Sequence, residues 1–272
     1  MPKRKTSADT RRGSRSPHPD PGGEHDASLG ESTNARSQTD AAVDLIRSRI
    51  IDLSLGPGSR IDEPLLIQRF RLGRTPAREA MNRLVAEGFV NLLPNRGGAY
   101  VRNLDLREIG EIVSAHQMAE SVLAHLCRFE DAGLLEDLEK IQSRYSKEVR
   151  QRTYLGITAV NEEFHLRMHA SIRNTFFFDF AKTIHRHVRR LLVLIYKLEE
   201  AEHAFQNDQF DLNLEEHRAI IDTIRKKDRE KLKELLPAHA RQAQQRLLRL
   251  LSTKAIEPLN FDVANFEAAY RS

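Results

Sequence analysis

Three polar side chains spaced four residues apart, Arg74, Arg78 and Asn82, mark the stretch with the clearest potential for recognition chemistry. Residues four apart on an α-helix lie on one side of it and project in the same direction. An arginine fork matches guanine O6 and N7 or a phosphate, and an asparagine amide matches adenine N6 and N7. The spacing indicates a helix that could contact DNA, although charge on an exposed helix face is also common without any partner.

The residues around these three have the pattern of an amphipathic helix. Apolar residues recur at offsets of three, four, seven and eight, which predicts a buried face made of Ala77, Ala80, Met81, Leu84 and Val85. Thr75 can cap the start, Pro76 suits the first helical position, and Gly88 can close the far end in the left-handed conformation. The sequence therefore predicts both ends of this helix.

The preceding segment predicts the rest of a helix-turn-helix. A helix begins near Thr39, with its apolar face on residues 43, 46, 50 and 53, and ends at the turn residues 56–58. A short strand over 59–61 and a second helix over 63–70 follow. The three residues 71–73 then form a tight turn into the Arg74 helix, which is the helix-turn-helix arrangement.

Two β-runs, 89–93 and 99–102, follow Gly88 and predict a hairpin. Arg96 and Gly97 lie at its tip, where glycine lets the backbone approach a phosphate or enter a minor groove. Charge supports a nucleic-acid partner, because residues 41–103 hold ten arginines, no lysine and six acidic residues. Their net charge of +4 equals that of the whole chain, as expected for a domain that displaces counterions from phosphates.

Composition limits the remaining classes of protein. The single cysteine, Cys127, excludes an internal disulfide framework and fits a reducing compartment. Residues 1–21 lack the apolar core of a signal peptide, and the longest strongly apolar run, 191–196, is far shorter than the ~20 residues of a membrane span. We therefore expect a cytoplasmic protein with no membrane partner.

The predicted fold class is mainly α: an N-terminal winged helix-turn-helix followed by an all-α helical bundle, for which a family resemblance implies a ligand domain. We divide the chain into a disordered tail (1–38), a DNA-binding domain (39–103), an all-α domain (104–255), for which the same resemblance implies effector binding and dimerisation, and a C-terminal tail (256–272). Helices are predicted near 105–130, 133–150, 153–171, 175–200, 209–226 and 228–252. Pro237 is expected to kink or restart the last helix.

Several motifs of the N-terminal part are similar to those of one regulator family. The segments 61–63, 73–80, 84–88 and 94–101 resemble the winged helix of GntR-family transcriptional regulators. The resemblance implies that Arg74, Thr75 and Arg78 contact operator bases and phosphates, and that the wing tip touches the minor groove. Pro64 stands near a place where members often have a DNA-contacting arginine, so the operator preference is expected to differ.

Histidines on three predicted helices form the second constellation. His165, His217 and His239 could meet inside a helical bundle and bind Zn²⁺, Ni²⁺ or Mn²⁺, with Asn161 one turn before His165. Spacing alone also allows these imidazoles to bind an acidic effector directly or simply to pack. The other histidines that we considered, at positions 125, 169, 185, 187 and 203, are interpreted as residues with ordinary surface or core partners.

The histidine spacing resembles the FCD ligand domain of the FadR subfamily. The resemblance implies that a divalent transition metal is held by Asn161, His165, His217 and His239, faces a small-molecule pocket, and is coordinated by the carboxylate of an effector. The family has aspartate where this chain has Asn161, which should weaken the metal site. His116 replaces the usual arginine four residues before Glu120, and both are assigned to the effector pocket.

The resulting hypothesis is a ligand-responsive transcriptional regulator that binds a pseudo-palindromic operator as a homodimer, most simply as a repressor, and responds to a small carboxylate. A metal-dependent hydrolase with a DNA-binding appendage is a second hypothesis. The sequence argues against an enzyme, because Leu166 follows His165 where an HExxH motif has glutamate. An architectural DNA binder without an effector is the third.

Overall fold

The computed structural model describes residues 27–62, 64–93 and 98–252, with side chains described from residue 38 onward. The N-terminal elements form a winged helix. They are α1 (Ala27–Ile51), β1 (Arg60–Ile61), a π-helical turn (Leu65–Arg69), α2 (Arg74–Ala86), β2 (Val90–Leu93) and β3 (Gly98–Val101). The strands form an antiparallel sheet in the order β1-β3-β2, in which Ile61 lies opposite Ala99 and Val90 lies opposite Val101.

The apolar face predicted for α2 is confirmed for its three innermost residues, whereas Met81 and Val85 are only partly buried and pack against the edge of the same core. Ala77, Ala80 and Leu84 are buried, and they pack with Val43, Ile46 and Ile50 of α1 in one core cluster. A buried arginine also joins the two helices, because Arg47 donates two hydrogen bonds to the carboxylate of Glu87, at 2.8 and 2.7 Å. Since one face of α2 is fixed in this way, its opposite face is left for contacts outside the domain.

Two details of the winged helix differ from the sequence-based expectation. The first helix begins at Ala27, within the segment expected to be a disordered tail, and residues 27–38 contain no proline that would break it. The helix expected over 63–70 is only the π-helical turn Leu65–Arg69, which ends where Arg71 adopts a left-handed φ of 54°. Residues 1–26 and 253–272, which include most of both expected tails, lie outside the described part of the chain.

Six further helices form the C-terminal bundle, which confirms the expected all-α architecture. They are α3 (Leu106–Leu126), α4 (Leu134–Gln151), α5 (Tyr154–Ser171), α6 (Thr175–Leu198), α7 (His203–Arg225) and α8 (Arg229–Ser252). Helix α3 packs against α6 and α8, α5 packs against α4 and α6, and α7 packs against α4 and α8. None of the helices in the described residues is long and apolar enough to cross a membrane.

The last two helices show what periodicity missed. Helix α7 begins six residues before the expected position, because its first buried side chain is polar: Gln206 donates to the backbone carbonyl of Tyr196 at 2.8 Å. Pro237 lies inside a continuous α8 and does not restart it. A proline removes one backbone hydrogen bond and crowds the carbonyl four residues earlier, and the packing of buried Leu232, Leu236 and Ala240 offsets this disruption.

Helix α6 connects the bundle to the winged helix. Its Val193 belongs to the apolar core of the winged helix, and the ring of His187 stacks on Phe89 with centroids 4.2 Å apart. His187 Nε2 donates to the backbone carbonyl of Glu87 at 2.8 Å, directly after α2. Arg190 donates to the carbonyl of Arg102 at 2.6 Å. A movement of α6 would therefore displace the residues that directly follow α2.

Candidate functional site

The first candidate site is the exposed face of α2. Arg74, Thr75, Arg78 and Asn82 are all exposed along this helix, opposite the buried alanines and Leu84. The N-cap is Gly73 rather than Thr75, because Gly73 has the extended backbone of a cap and its carbonyl accepts from the Ala77 amide at 3.0 Å. Thr75 therefore lies in the first turn. Gly88 has the expected left-handed conformation, with φ of 78°.

The strands of the wing, but not its tip, lie in the described part of the chain. Strands β2 and β3 form the expected hairpin, with Leu93 opposite Gly98 as the last pair before the tip. Residues 94–97 lie outside the described residues, so Arg96 and Gly97 stay predictions. The DNA-contact roles of Arg74, Thr75, Arg78 and Asn82 also stay predictions, and their shared exposure is consistent with them.

The second candidate site is a group of imidazoles inside the bundle. His165 on α5, His217 on α7 and His239 on α8 are all buried, and their ligand atoms lie within 4.8 Å of one another. His165 Nε2 is 3.2 Å from His239 Nε2. Helices that are distant in sequence therefore place three ring nitrogens around one point, as the spacing of the motif suggested.

Each of the three rings is oriented by an acceptor at its other nitrogen. His165 Nδ1 donates to Glu120 at 2.8 Å, and His239 Nδ1 donates to Glu216 at 2.6 Å. His217 Nδ1 donates to the amide oxygen of Gln142 at 3.0 Å, an assignment supported by the Gln142 amide nitrogen, which donates to the carbonyl of Leu214. In the neutral ring this arrangement leaves a lone pair on Nε2, which is the tautomer that a metal ligand needs.

Burial favours the neutral form of two of these rings, His165 and His217. Burial is the largest influence on His165 and lowers its pKa to about 4, although the neighbouring Glu120 carboxylate opposes the change. Burial likewise lowers the pKa of His217 well below its ordinary value, and His239 and His165 add to that effect. The Nε2 atom of the neutral His165 ring lies 3.2 Å from His239 Nε2, so a cation placed between them could bind both nitrogens.

The fourth predicted ligand lies beside the three imidazoles. Asn161 is buried, and its Oδ1 has no hydrogen-bond partner; the same is true of His217 Nε2. A cavity of about 20 Å³ is bordered by Asn161, His165 and His239, which is room for about one water-sized particle. Three oriented imidazoles, an unpartnered amide oxygen and a cavity of this size fit a divalent transition metal.

The two residues assigned to the effector pocket occupy different places. His116 borders the small cavity, whereas Glu120 lies behind the imidazoles and is fully buried. Burial alone would raise the pKa of the Glu120 carboxyl group, but attraction to His165 and hydrogen bonds from His165, His169 and His185 outweigh it and hold the pKa well below its usual value. Glu120 is thus an anion that organises rings, and its contact with an effector stays a prediction.

Sequence reasoning passed over two members of the cluster. His169 and His185 are fully buried, and both contact Glu120 Oε1, at 3.0 and 3.1 Å. The available signal for His169 was its position four residues after His165, on the same face of α5. No comparable signal existed for His185, because it lies on α6 and only the packing of α6 against α3 and α5 brings it to Glu120.

The geometry defines a class of protein: a winged helix with an exposed arginine-bearing recognition helix, joined through α6 to an all-α domain with a buried ligand-type cluster. Comparison with protein families agrees with this description. Residues 38–101 match the model of bacterial regulatory proteins of the gntR family, and residues 111–242 match that of the FCD domain. The chain belongs to the GntR family of bacterial regulatory proteins, in the branch that carries an FCD domain.

Individual relatives support the same assignment. The gluconate operon transcriptional repressor of Bacillus licheniformis is 26% identical over 186 residues, which cover 68% of this chain and 74% of that protein. The uncharacterised HTH-type transcriptional regulator YdhC of Bacillus subtilis is 27% identical over 199 residues, 71% of this chain and 84% of that protein. The chain is accordingly a transcriptional regulator and not an enzyme, so the hydrolase hypothesis falls.

Solved structures share the fold. A GntR transcriptional regulator from Rhodococcus sp. RHA1 superposes with a TM-score of 0.64 at 18% identity, over 78% of this chain and 98% of that one. McbR/YncC of E. coli superposes with a TM-score of 0.62 at 18% identity, over 80% of this chain and 98% of that one. At this level of identity the structures confirm the architecture alone.

Proposed function

We propose that this regulator represses transcription as a cytoplasmic homodimer whose affinity for a pseudo-palindromic operator depends on what occupies the buried cluster of the FCD domain. The observation that carries the proposal is the convergence of three oriented imidazoles and an unpartnered amide oxygen in a domain that contacts the winged helix through α6. Two copies related by a two-fold axis would present two recognition helices to two half-sites.

The recognition face supplies both kinds of DNA contact. Arg74 and Thr75 lie in the first turn of α2, where contacts to phosphates fix the register of a protein on DNA. Arg78 and Asn82 follow at intervals of one turn, where a guanidinium fork and an amide can distinguish guanine and adenine. Arg96 and Gly97 are proposed to contact the backbone or the minor groove.

The donor set favours particular metals. His165, His217 and His239 offer nitrogen ligands, and Asn161 offers a neutral oxygen, a set that suits Zn²⁺ or Ni²⁺ better than Mn²⁺, which prefers carboxylates. When bound, such an ion supplies a coordination position for a carboxylate oxygen of the effector. The charge that Asn161 lacks is partly replaced by Glu120 and Glu216, which hold the outer nitrogens of His165 and His239.

The size of the cavity restricts the effector. About 20 Å³ beside His116 and Asn161 admits a water-sized group and no more. A small carboxylate would therefore have to displace side chains that border the cavity, and its binding energy would favour a displaced arrangement over the present one. Val188 and Leu192 of α6 also border this cavity, and His187 directly precedes Val188, so a displacement of α6 would reach Phe89 and the carbonyl of Glu87.

Selection of bound sites from random DNA, followed by light scattering of the free and bound protein, tests the proposal. We expect a two-fold symmetric consensus and a mass of two chains on one site. A site without symmetry, occupied by one chain, would contradict the homodimer. Binding without any sequence preference would support an architectural DNA binder instead.

Substitution of Asn161 by aspartate tests the metal assignment. Because a carboxylate adds a negative charge to the donor set, Asn161→Asp should bind Zn²⁺ at least about tenfold more tightly, equivalent to about 1.4 kcal/mol. Competition with a chromophoric chelator measures the affinity, and His125→Asn, at an exposed histidine near the end of α3, serves as the control. Equal affinities of wild type and Asn161→Asp would show that Asn161 is not a ligand.

A further inference from the structure

The side chains on the far side of Glu120 form a second group of donors. We propose that Glu120, His169 and His185, with His116 as the fourth donor, form a second Zn²⁺ site, separate from the site of His165, His217 and His239. This goes beyond the proposed function, because the second site uses three histidines that the first does not. The proposal rests on distances between donor atoms, on unpartnered buried atoms and on a buried charge.

The spacing of the donor atoms matches tetrahedral zinc. His169 Nε2 and His185 Nε2 lie 3.0 and 3.1 Å from Glu120 Oε1 and 3.4 Å from each other, so the three atoms form a nearly equilateral triangle. Zinc bonds to nitrogen and carboxylate oxygen are about 2.0–2.1 Å long, which places the corners of a tetrahedron about 3.3–3.4 Å apart. The three donors therefore need to move apart by only a few tenths of an ångström.

A fourth nitrogen donor lies nearby and has no hydrogen-bond partner. His116, His185 and Glu120 offer ligand atoms that lie within 4.8 Å of one another. His116 Nε2 is buried and has no hydrogen-bond partner, and its ring lies edge-on to that of His185 with centroids 5.0 Å apart. A buried polar nitrogen without a partner is costly, and coordination would remove that cost.

The buried negative charge of Glu120 also favours a cation at this site. Its carboxylate is fully buried, and its hydrogen-bond partners in the described part of the chain are imidazoles alone. The Nε2 atoms of His169 and His185 both lie within hydrogen-bond distance of this one Glu120 oxygen and only 3.4 Å from each other. A divalent ion on Oε1 would balance the buried negative charge and replace this crowded arrangement with two coordinate bonds.

The two sites are adjacent but use different atoms. Glu120 Oε1 faces His169 and His185, whereas Oε2 accepts a hydrogen bond from His165 Nδ1 at 2.8 Å. The carboxylate is thus an outer support of the first site and a direct ligand of the second. Four protein donors would complete a tetrahedral shell, which is typical of structural zinc. Because His185 is a ligand from α6, the second ion would hold this helix to α3 and α5.

Zinc stoichiometry of the full chain tests the second site. Chelator-treated protein is loaded with Zn²⁺, desalted and analysed by elemental analysis. We expect two Zn²⁺ per chain in wild type and in the control His125→Asn, one in His185→Asn, one in His217→Asn, and none in the double variant. Circular dichroism of the metal-free forms verifies folding. If His185→Asn does not fold, His169→Gln replaces it.

The outcomes separate the two sites. One Zn²⁺ in wild type that is retained by His185→Asn would overturn the second site and leave the first intact. One Zn²⁺ that is retained by His217→Asn and lost in His185→Asn would support the second site and contradict the first. Absence of Zn²⁺ from wild type would overturn both. As a second readout, Co²⁺ bound to His217→Asn should give the strong visible absorption of a tetrahedral site, and the weak absorption of an octahedral site would contradict the proposed shell.

Discussion

The recognition helix and the histidine cluster use polar side chains in opposite ways. On α2 the functional side chains, Arg74, Arg78 and Asn82, point outward, and the apolar residues behind them hold the helix in place. In the FCD domain the polar groups point inward, and each imidazole depends on a partner from another helix. A surface site of this kind can change with little effect on folding, whereas the buried cluster couples binding to stability.

The largest expected effect is the stabilisation of the folded protein by metal binding to the buried cluster. A ligand that binds only the folded state at about 1,000 times its Kd stabilises it by about 4 kcal/mol. For a domain of this size that corresponds to a rise of about 10 °C in the melting temperature. Calorimetry of chelator-treated and Zn²⁺-loaded wild type should show the rise, and His217→Asn should lose much of it. Identical melting curves would mean that the imidazoles only pack.

A smaller effect on folding is expected when the central carboxylate is replaced. Glu120→Gln keeps the shape but leaves imidazole N–H groups without an anionic acceptor, which should destabilise the metal-free protein by about 2 kcal/mol. Glu111→Gln is the matched control on α3, because the side chain is exposed and its ion pairs with Arg107 and Arg102 contribute little. Urea unfolding measures both variants. Equal stability of the two would show that Glu120 does not organise the cluster.

Substitutions on the exposed face of α2 should change the affinity for DNA and leave the stability of the fold unchanged. Arg78→Ala removes a guanidinium fork from an exposed position, so we expect a loss of about 1–3 kcal/mol in affinity for the selected operator, little change on random DNA, and no change in melting temperature. Arg107→Ala, which removes an exposed arginine of α3, should leave the affinity for both operator and random DNA unchanged. Equal losses on operator and random DNA would indicate that Arg78 contacts only phosphates.

The same contrast explains what the sequence could predict. The face of α2 arises from spacing within one helix, so Ala77, Ala80 and Leu84 were identified from the sequence and are buried. The cluster arises between helices, and the prediction that His165, His217 and His239 meet rested on their placement on three helices of one bundle together with family resemblance. His185 carries no local signal, because its contact with Glu120 bridges α6 and α3.

The contacts of α6 with the winged helix could not be predicted from the sequence either. Val193 looks like a residue of the bundle core, yet it packs in the core of the winged helix. His187 has an ordinary sequence context, and its hydrogen bond to the Glu87 carbonyl depends on how the two domains dock. Interdomain contacts follow from tertiary placement, which the periodicity of single helices does not contain.

The central claim is that occupancy of the buried cluster changes operator affinity through α6. The most direct test measures the Kd for the selected operator by fluorescence anisotropy, with metal-free and with Zn²⁺-loaded protein. A coupling energy of about 1 kcal/mol or more predicts at least a ~5-fold difference. The variant His187→Phe, which keeps an aromatic ring against Phe89 but cannot donate to the Glu87 carbonyl, should reduce that difference. Equal Kd values for the two forms, with Zn²⁺ shown to be bound, would contradict the claim.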